Sequence, residues 1–366
     1  MKFTIDRDVF FNQINTVQKF TSDRLNTSAA LQGVYITVEK KKIHFYATDL
    51  NTYCHTVSDL SADEATDIII EPKKILEFVQ FLQQGDIHIT VENNSILIQQ
   101  EKTKGTFPVI VAEDFPLPPK LTEEAQEVKP EFLLNNLPFL LFTASSDDAR
   151  PVLTGINFVA SEEDLTLVAT DGFRLSLVKE KRKGTFSSMI IPADFLKEVL
   201  RYVRDAKTVS FTYSEKEHLV LFKVGETEFY SRLIDGEFPP YERVIPEEKK
   251  ATAVLKREDL LRNTKLISIF AREYSNVIIY DFSKEGLILS PKKEANADNT
   301  TTQDITFDGD QIRVAFNYKY VVDFLNHIDA EEIEVELLRS DAPVVFKIPK
   351  NNTFMHIIMP VRIQEG

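Results

Sequence analysis

Two kinds of segment recur along this chain at a spacing of about 120 residues. Residues 31–49, LQGVYITVEKKKIHFYATD, match residues 153–171, LTGINFVASEEDLTLVATD, and a weaker copy, SNVIIYDFSKEGLILSP, occupies residues 275–291. Solenoid repeats have periods of roughly 20 to 50 residues, so a period this long does not fit a solenoid. The repetition predicts three similar domains in one chain.

The second recurring segment is a β-branched run that meets Pro or Asn and leads into an amphipathic helix. Its copies begin at Ile68, Ser188 and Ile312. Proline is tolerated in the first helical turn, because the N–H that it lacks would have no intrahelical partner there. Further helices are expected to open the three repeats, at residues 6–20, 131–145 and 256–272.

Polar and apolar residues alternate in the remaining segments, as in VSFTYSEKEHLVLFKV from Val209. Such alternation indicates antiparallel strands that are covered on one face. Helices and antiparallel strands together predict an α+β fold. The predicted domains are residues 1–121, 128–247 and 251–366, with linkers where the strand pattern is lost.

Composition excludes several classes of protein. The chain has 366 residues, 27% of them charged, and it contains no apolar run long enough to cross a membrane. The N-terminus lacks the pattern of a signal peptide, so a cytoplasmic location is expected. A single cysteine, Cys54, and scattered histidines predict no disulfide, no metal site and no cofactor.

Basic residues are concentrated on helices although the net charge is −14. In the helix expected at residues 194–205, Lys197, Arg201 and Arg204 lie opposite an apolar stripe. Lys73 and Lys74 start the corresponding helix of the first repeat, and Arg262 and Lys265 share one side of the helix that opens the third repeat. An ordinary solvated face is the alternative for any one helix. Recurrence on repeated helices favours a surface that contacts phosphates without reading bases.

Enzymatic activity has little support in the sequence. No nucleophile elbow, P-loop or dinucleotide-binding motif is present. Asp147 and Asp148, in SSDDARP, could serve an acid-dependent hydrolase, but acids in a loop after a helix are usually solvated. A protein that acts by binding is therefore preferred, with the hydrolase as the alternative.

Several motifs resemble those of one known family along the whole chain. They are VATDGFRLSLV at residues 168–178, LIDGEFPPYERVIP from Leu233 and IIMPVRI at residues 357–363, in addition to the threefold repeat. In this order they resemble the bacterial DNA polymerase III beta subunit, the replicative sliding clamp. The resemblance implies a non-catalytic processivity factor. It also implies a ring-shaped homodimer around duplex DNA, with helices lining a central channel and sheets outside.

The resemblance also implies a pocket for short apolar motifs with a Gln anchor, carried by the polymerase alpha subunit, the clamp loader and repair proteins. The residues that it assigns to this pocket are Leu153, Thr170, Gly172, Phe173, Arg174, Leu175, Pro239, Arg243, Val244, Ile357, Met359, Pro360, Val361 and Arg362. Simple sheet core is the alternative role for Leu153 and Val244. Asp171 is then a turn residue rather than a catalytic acid.

Three more assignments follow from the resemblance alone. Arg24 takes the place of a DNA-contacting arginine, and Phe107 that of an aromatic at the dimer interface, opposite Tyr274 of the partner chain. Sequence-independent contact with duplex DNA, by Arg24 and the helical Lys and Arg residues, is the implied role of the basic surface.

The chain also departs from the family pattern. Phe173 stands where the family often has His, and residues 364–366 extend beyond the usual end. The segment 131–145 contains neither Lys nor Arg, and Pro138 is expected to kink it. A clamp-like scaffold that does not encircle DNA is a further alternative.

Overall fold

The computed structural model describes residues 1–24, 28–62, 64–92, 94–111, 114–181, 188–272, 275–292 and 299–362. Helices and antiparallel strands alternate through these ranges, which confirms the α+β class. The elements of the first repeat are β1 (Lys2–Asp6), α1 (Arg7–Val17), β2 (Val34–Val38), β3 (Lys42–Thr48), β4 (Thr52–Asp59), β5 (Thr66–Ile70), α2 (Pro72–Val79), β6 (Asp86–Glu92), β7 (Ser95–Gln100) and β8 (Thr103–Ile110).

The second repeat has the same order of elements, except that its first helix is divided. Its elements are β9 (Gln126–Val128), α3 (Pro130–Asn136), α4 (Pro138–Leu141), β10 (Gly155–Ala160), β11 (Leu165–Thr170), β12 (Arg174–Glu180), β13 (Met189–Pro192), α5 (Ala193–Val203), β14 (Val209–Ser214), β15 (Leu219–Val224) and β16 (Thr227–Arg232).

The third repeat carries one additional short strand, β21. Its elements are β17 (Ala251–Lys256), α6 (Arg257–Ala271), β18 (Val277–Ser283), β19 (Gly286–Pro291), β20 (Thr301–Gln303), β21 (Thr306–Gly309), β22 (Ile312–Asn317), α7 (Tyr318–His327), β23 (Glu332–Leu337), β24 (Val344–Lys347) and β25 (Phe354–Ile358).

Local sequence explains where the helices begin. Asp6 caps α1, since its carboxylate accepts the backbone N–H groups of Asp8 and Val9, and Asn317 caps α7 in the same way. Pro72 opens α2, as the sequence predicts. Pro138 ends α3 early and starts the short α4, because a proline inside a helix removes a hydrogen bond and clashes with the preceding turn.

Strand pairing follows the same scheme in each repeat. The strand before the first helix pairs with the strand after the second helix, giving β1–β6, β9–β14 and β17–β23. The recurring sequence segments form the hairpins β2–β3, β10–β11 and β18–β19. These equivalent pairings confirm that the chain contains three similar units of structure.

By contact density the chain divides into two compact units that cut across the repeats. The first unit comprises Met1–Leu133 and Glu198–Leu233, and the second Leu134–Lys197 and Ile234–Gly366. In the first unit the strand order is β1-β6-β7-β8-β5-β2-β3-β4-β16-β15-β14-β9. In the second, one sheet has the order β13-β10-β11-β12-β25-β24-β23-β17-β21 and another the order β20-β19-β18-β22. Strands of consecutive repeats pair within each unit, so the domain limits stay predictions.

The amphipathic pattern of α5 shows how the helices pack. Phe195, Leu196, Val199 and Val203 are buried, as their helical spacing predicts. Leu200, which the sequence places in the same stripe, is only partly buried, since it lies at the edge of the apolar face. Burial of such stripes is the main source of helical stability here. Within the described ranges, no helix is both long and apolar enough to span a membrane.

Candidate functional site

The turn between β11 and β12 is built by side chains that bond to its own backbone. The Asp171 carboxylate accepts the N–H groups of Phe173 and Arg174 at 2.9 and 3.0 Å. The Thr170 hydroxyl donates to the carbonyl of Arg174 at 2.6 Å and accepts the N–H of Gly172 at 3.0 Å. Gly172 has φ +92°, in the left-handed region that favours glycine. These bonds support a turn-forming role for Asp171.

Arg174 is held inside this turn rather than extended toward solvent. Its Nε lies 3.0 Å from Asp171 Oδ2, and its Nη1 lies 2.9 Å from Asp323 Oδ2 in α7. The guanidinium also lies over the ring of Tyr320, 4.8 Å from the ring centroid, and 5.7 Å from that of Phe142. Only 9% of the Arg174 side chain is exposed, so its guanidinium is engaged mainly by the residues around it.

The floor of the site is an apolar cluster on one face of the second unit's larger sheet. Leu175 is paired with Ile357 across β12 and β25, and both are buried. Val168, Leu177 and Val345 complete the cluster. Partly buried side chains pack against it from the segment that follows β16 and from β25; they are Phe238, Tyr241, Val244, Ile245 and Met355. Val244 is thus a partly exposed cover of this cluster.

The rim of the site is more exposed. Met359 donates its backbone N–H to the carbonyl of Phe173 at 2.9 Å, which ties the chain after β25 to the turn. Val361 donates its backbone N–H to the Ala315 carbonyl at 2.7 Å, and its side chain packs against the cluster of Val277, Ile279 and Ala315. Met359 and Pro360 are partly exposed. The remaining exposed members of the predicted pocket are Gly172, Phe173, Pro239, Arg243 and Arg362.

Leu153 and Thr170 stand apart from this rim because both are buried. Leu153 ends a short 3₁₀ helix, Pro151–Leu153, and its carbonyl accepts the N–H of Ser145 at 2.8 Å. Leu153 and Thr170, together with the buried pair Leu175 and Ile357, therefore form the closely packed layer beneath the exposed residues of the predicted set.

Sequence reasoning missed Tyr320, Asp323 and Phe142. Asp323 is 149 residues from its partner Arg174, so no local spacing reveals the pair. Tyr320 lies in the first turn of α7, and its ring packs parallel to that of Phe173 with 6.2 Å between centroids. An aromatic residue at the start of a predicted helix is a weak signal on its own, because most such residues are core.

A buried histidine lies beneath the site. His356 Nδ1 is 2.8 Å from Ser176 Oγ, which is 2.8 Å from Thr143 Oγ1. Burial, and secondarily the charge of Arg174, hold the pKa of His356 well below its usual value. Its Nε2 has no hydrogen-bond partner in the part of the chain that the structure describes. This imidazole is therefore a neutral packing group against Phe324 and Phe142.

The predicted basic residues all lie on exposed surface. Lys197 and Arg201 are on α5 with Arg204 just beyond it, Lys73 and Lys74 on α2, and Arg262 and Lys265 on α6; Arg24 is exposed as well. Several have an acid one turn away, since Arg201 lies 2.9 Å from Glu198 and Arg262 lies 2.8 Å from Asp259. Such exposed pairs are weak, so the cations stay available to phosphates.

Among the exposed apolar side chains of the described residues, two groups bear on the predicted interface between chains, one in each unit. In the first unit, Phe81 follows α2 and is 84% exposed, and nearby Phe107 packs edge-on against Phe78 with 5.4 Å between centroids. Phe107 lies on β8, which pairs with β5 through Val109 and Ile110 and leaves residues 103–108 at a sheet edge among the described strands. In the second unit, α6 exposes Leu266, Ile269 and Phe270. Tyr274 lies outside the described residues.

The acids proposed for a hydrolase are used in a surface turn. Asp147 accepts the N–H of Ala149 at 3.0 Å and pairs with the Arg150 guanidinium at 3.3 Å. Asp148 is exposed. No group of His, Cys, Asp and Glu suited to a metal ion occurs among the described residues.

Comparison with known proteins gives one consistent result. Three models of the DNA polymerase III beta subunit match in order, its N-terminal domain at residues 1–119, its central domain at 127–240 and its C-terminal domain at 242–362. The beta sliding clamp of Halalkalibacterium halodurans is 27% identical, over 99% of this chain and 100% of its own length.

Solved structures of such clamps have a similar fold. The DNA polymerase III beta subunit of Thermotoga maritima superposes with a TM-score of 0.91 at 24% identity, over 99% of each chain. The sliding clamp of Bacillus subtilis superposes with a TM-score of 0.90 at 25% identity, again over 99% of each chain.

Proposed function

The chain belongs to the DNA polymerase III beta subunit family, and from this premise we propose that it is the sliding clamp of a replicative polymerase. The observation that carries the proposal is that the three family domains match in order over nearly the whole chain. A clamp confers processivity by binding and is not an enzyme. The turn chemistry of Asp147 also disfavours the hydrolase alternative.

Two chains would close into a ring around duplex DNA. Each chain offers one apolar surface at the exposed Phe81 and the partly buried Phe107, and another on α6. Head-to-tail contact of the first surface with the second on a partner chain would bury both, and repetition of that contact would close a two-chain ring. Contact through the sheet edge at residues 103–108 would also satisfy backbone groups of β8.

The exposed basic residues suit weak contact with the DNA backbone. Lys197, Arg201 and Arg204 have counterparts in Lys73 and Lys74 on α2, the equivalent helix of the first repeat, and further exposed basic residues lie on α6, which opens the third repeat. Phosphate contacts of this kind carry no base specificity and weaken steeply with salt. They favour sliding over fixed binding, and the separated α3 and α4, which lack basic residues, would contribute little. We place this function in the cytoplasm, where a reducing environment suits the free thiol of Cys54.

Partner proteins would attach at the apolar floor formed by Leu175, Val244 and Ile357, with Met359 and Arg362 at the rim. An adaptable apolar floor with a few polar groups suits short linear motifs of the polymerase alpha subunit, the clamp loader and repair proteins. This site would tether them to DNA through the ring.

Replacement of both Met359 and Arg362 with Ala tests the pocket. We expect at least a tenfold loss of affinity for a fluorescein-labelled peptide with a Gln anchor and apolar residues, measured by fluorescence polarisation. Lys284→Ala, at an exposed position in the β18–β19 turn, is the matched control and should bind as the wild type does. Equal affinity of the double variant and the wild type would remove these residues from the site.

A further inference from the structure

The junction between the first and second repeats has the same backbone frame as the junction that carries the predicted pocket. In the turn between β3 and β4, the Asp49 carboxylate accepts the N–H groups of Asn51 and Thr52 at 3.0 and 2.7 Å, as Asp171 does in the β11–β12 turn. β4 then pairs with β16, as β12 pairs with β25. The Arg232 N–H donates to the Asn51 carbonyl at 2.8 Å, the equivalent of the bond that ties the chain after β25 to its turn.

Different side chains fill this common frame. The repeat spacing aligns Tyr46 with Val168 and His55 with Leu177, two members of the apolar floor. The strand partner of His55 is Glu228. A polar row across β3, β4 and β16 therefore replaces the floor, and the rings of Tyr46 and His55 stack in it with 4.3 Å between centroids. Such a row does not offer an apolar floor to a peptide, so the first junction has a different role.

His44, on β3, is hydrogen-bonded to His55 of the row. His55 Nδ1 lies 3.0 Å from Glu228 Oε2, and it carries a proton because a carboxylate only accepts. His55 Nε2 lies 2.9 Å from His44 Nδ1, so in the neutral pair it accepts the N–H of His44. One added proton fits on the far nitrogen of His44. A second would set two imidazolium N–H groups against each other, and the bond would be lost.

The surroundings oppose full protonation of the pair. Burial, and after it the charge of His55, lower the pKa of His44 below its usual value, while Glu39 acts in the opposite direction. Glu39 Oε1 lies 3.9 Å from His44 Nε2, but the Glu39 side chain is 68% exposed, so solvent screens its attraction. The other charged groups that face the pair are Lys42 on β3, Lys223 on β15 and Glu228 on β16. Burial raises the pKa of each facing tyrosine, so these rings stay neutral; they are Tyr35, Tyr46 and Tyr230.

We propose that His44 and His55 make the junction of the first two repeats a proton-sensitive joint, which opens locally across β3, β4 and β16 when both imidazoles are protonated. The sheet of the first unit passes from the first repeat to the second at the β4–β16 pairing, directly beside the pair. This role needs neither DNA nor a partner protein, so it goes beyond the proposed function.

The direction of the pH dependence follows from the number of protons bound. The closed joint holds one proton fewer than the opened joint, in which both imidazoles are free to titrate near their ordinary value of about 6.5. Below that pH, opening becomes easier as the pH falls, by at most about tenfold for each pH unit. Above it, the joint stays closed.

Hydrogen–deuterium exchange of the whole protein measures the opening. Labelling is carried out at pH 7.5 and pH 5.5, with times scaled to the intrinsic exchange rates, and peptides from β3, β4 and β16 report on the joint. We expect their protection to be at least about fivefold lower at the acidic pH in the wild type. Peptides from β1 and β6 of the same unit should show equal protection at both values.

Three substitutions identify the groups that respond. His44→Gln removes one titrating imidazole and leaves an amide oxygen that can accept from a protonated His55, so protection at the two pH values should agree within about twofold. His55→Gln removes the other imidazole and should have the same effect. His88→Gln, which removes an exposed histidine on β6, is the matched control and should keep the pH dependence of the wild type.

A purely structural role for the two histidines would give a different pattern. Each Gln variant would then lose protection equally at both pH values and retain the wild-type ratio between them. That retained ratio in both variants, or equal protection of the wild-type joint at pH 7.5 and pH 5.5, would overturn the proposal.

Discussion

Glu228 links strands of two consecutive repeats through its side chain. Its carboxylate accepts hydrogen bonds from His55 Nδ1 on β4 at 3.0 Å and from the Tyr230 hydroxyl at 3.0 Å. It also forms an ion pair with Lys223, whose Nζ lies at 3.2 Å. The hydrogen bond from His55 contributes most to lowering the pKa of Glu228 to about 2, and those from Tyr230 and Lys223 add to it against the effect of burial. The folded state thus favours the carboxylate.

Replacement of Glu228 tests this linkage. Because the pKa of the folded state lies below the unfolded value, the stabilisation is complete above about pH 4.5 and declines as the pH falls toward 2. Glu228→Gln should lower the free energy of unfolding at pH 7 by about 1–2 kcal/mol, after allowance for solvent screening. Urea denaturation should show a smaller difference at pH 3.

Glu226→Gln is the control, since Glu226 is exposed on the same hairpin. An equal loss of stability at pH 7 and pH 3 in the Glu228 variant would show that charge is not the cause.

At the residue scale, prediction from sequence succeeds where the partners are close in the chain. Thr170, Asp171 and Gly172 form the turn that the motif ATDG indicates, because their bonds span two to four residues. The ion pair of Arg174 with Asp323 could not be predicted, because Asp323 reaches Arg174 only through the tertiary fold. The local motif therefore predicts the turn itself, but not the long-range ion pair that holds Arg174.

At the element scale, α5 is the clearest carrier of the proposed DNA contact. Its buried stripe and exposed cations follow from helical periodicity, so both were predictable. Arg201 pairs with Glu198, one helical turn away, in a local i, i+3 contact. This contact reduces the attraction of Arg201 for phosphate only slightly. The break between α3 and α4 was equally predictable, because proline cannot continue the backbone hydrogen bonding of a helix.

Reversal of charge on α5 tests its contact with DNA. Lys197→Glu combined with Arg204→Glu should weaken binding to duplex DNA. It should also reduce the magnitude of the negative slope of log K against log salt by about 2, since two phosphate contacts are lost. Titrations at several salt concentrations measure the slope. Lys216→Glu, an exposed charge in the turn between β14 and β15, should leave it unchanged. An unaltered slope in the double variant would place the DNA elsewhere.

At the scale of the whole molecule, the repeats are visible in the sequence but their assembly into sheets is not. Repetition at a fixed spacing indicates three similar domains, and the equivalent strand pairings agree with it. Pairing of β4 with β16 and of β12 with β25 joins consecutive repeats edge to edge. No local pattern specifies those pairings, because an edge strand of one repeat could equally pair with an edge strand of a second copy of the chain.

Retention on circular DNA tests the central claim most directly. The protein is loaded onto a nicked circular plasmid with its own clamp loader and ATP, passed through a gel-filtration column at high salt, and measured again after one restriction cut. A closed ring stays on the circle and slides off the linear product, and Phe107→Ala should shorten retention on the circle by weakening the contact between chains. Equal retention on circular and linear DNA, or none on either, would contradict a sliding clamp.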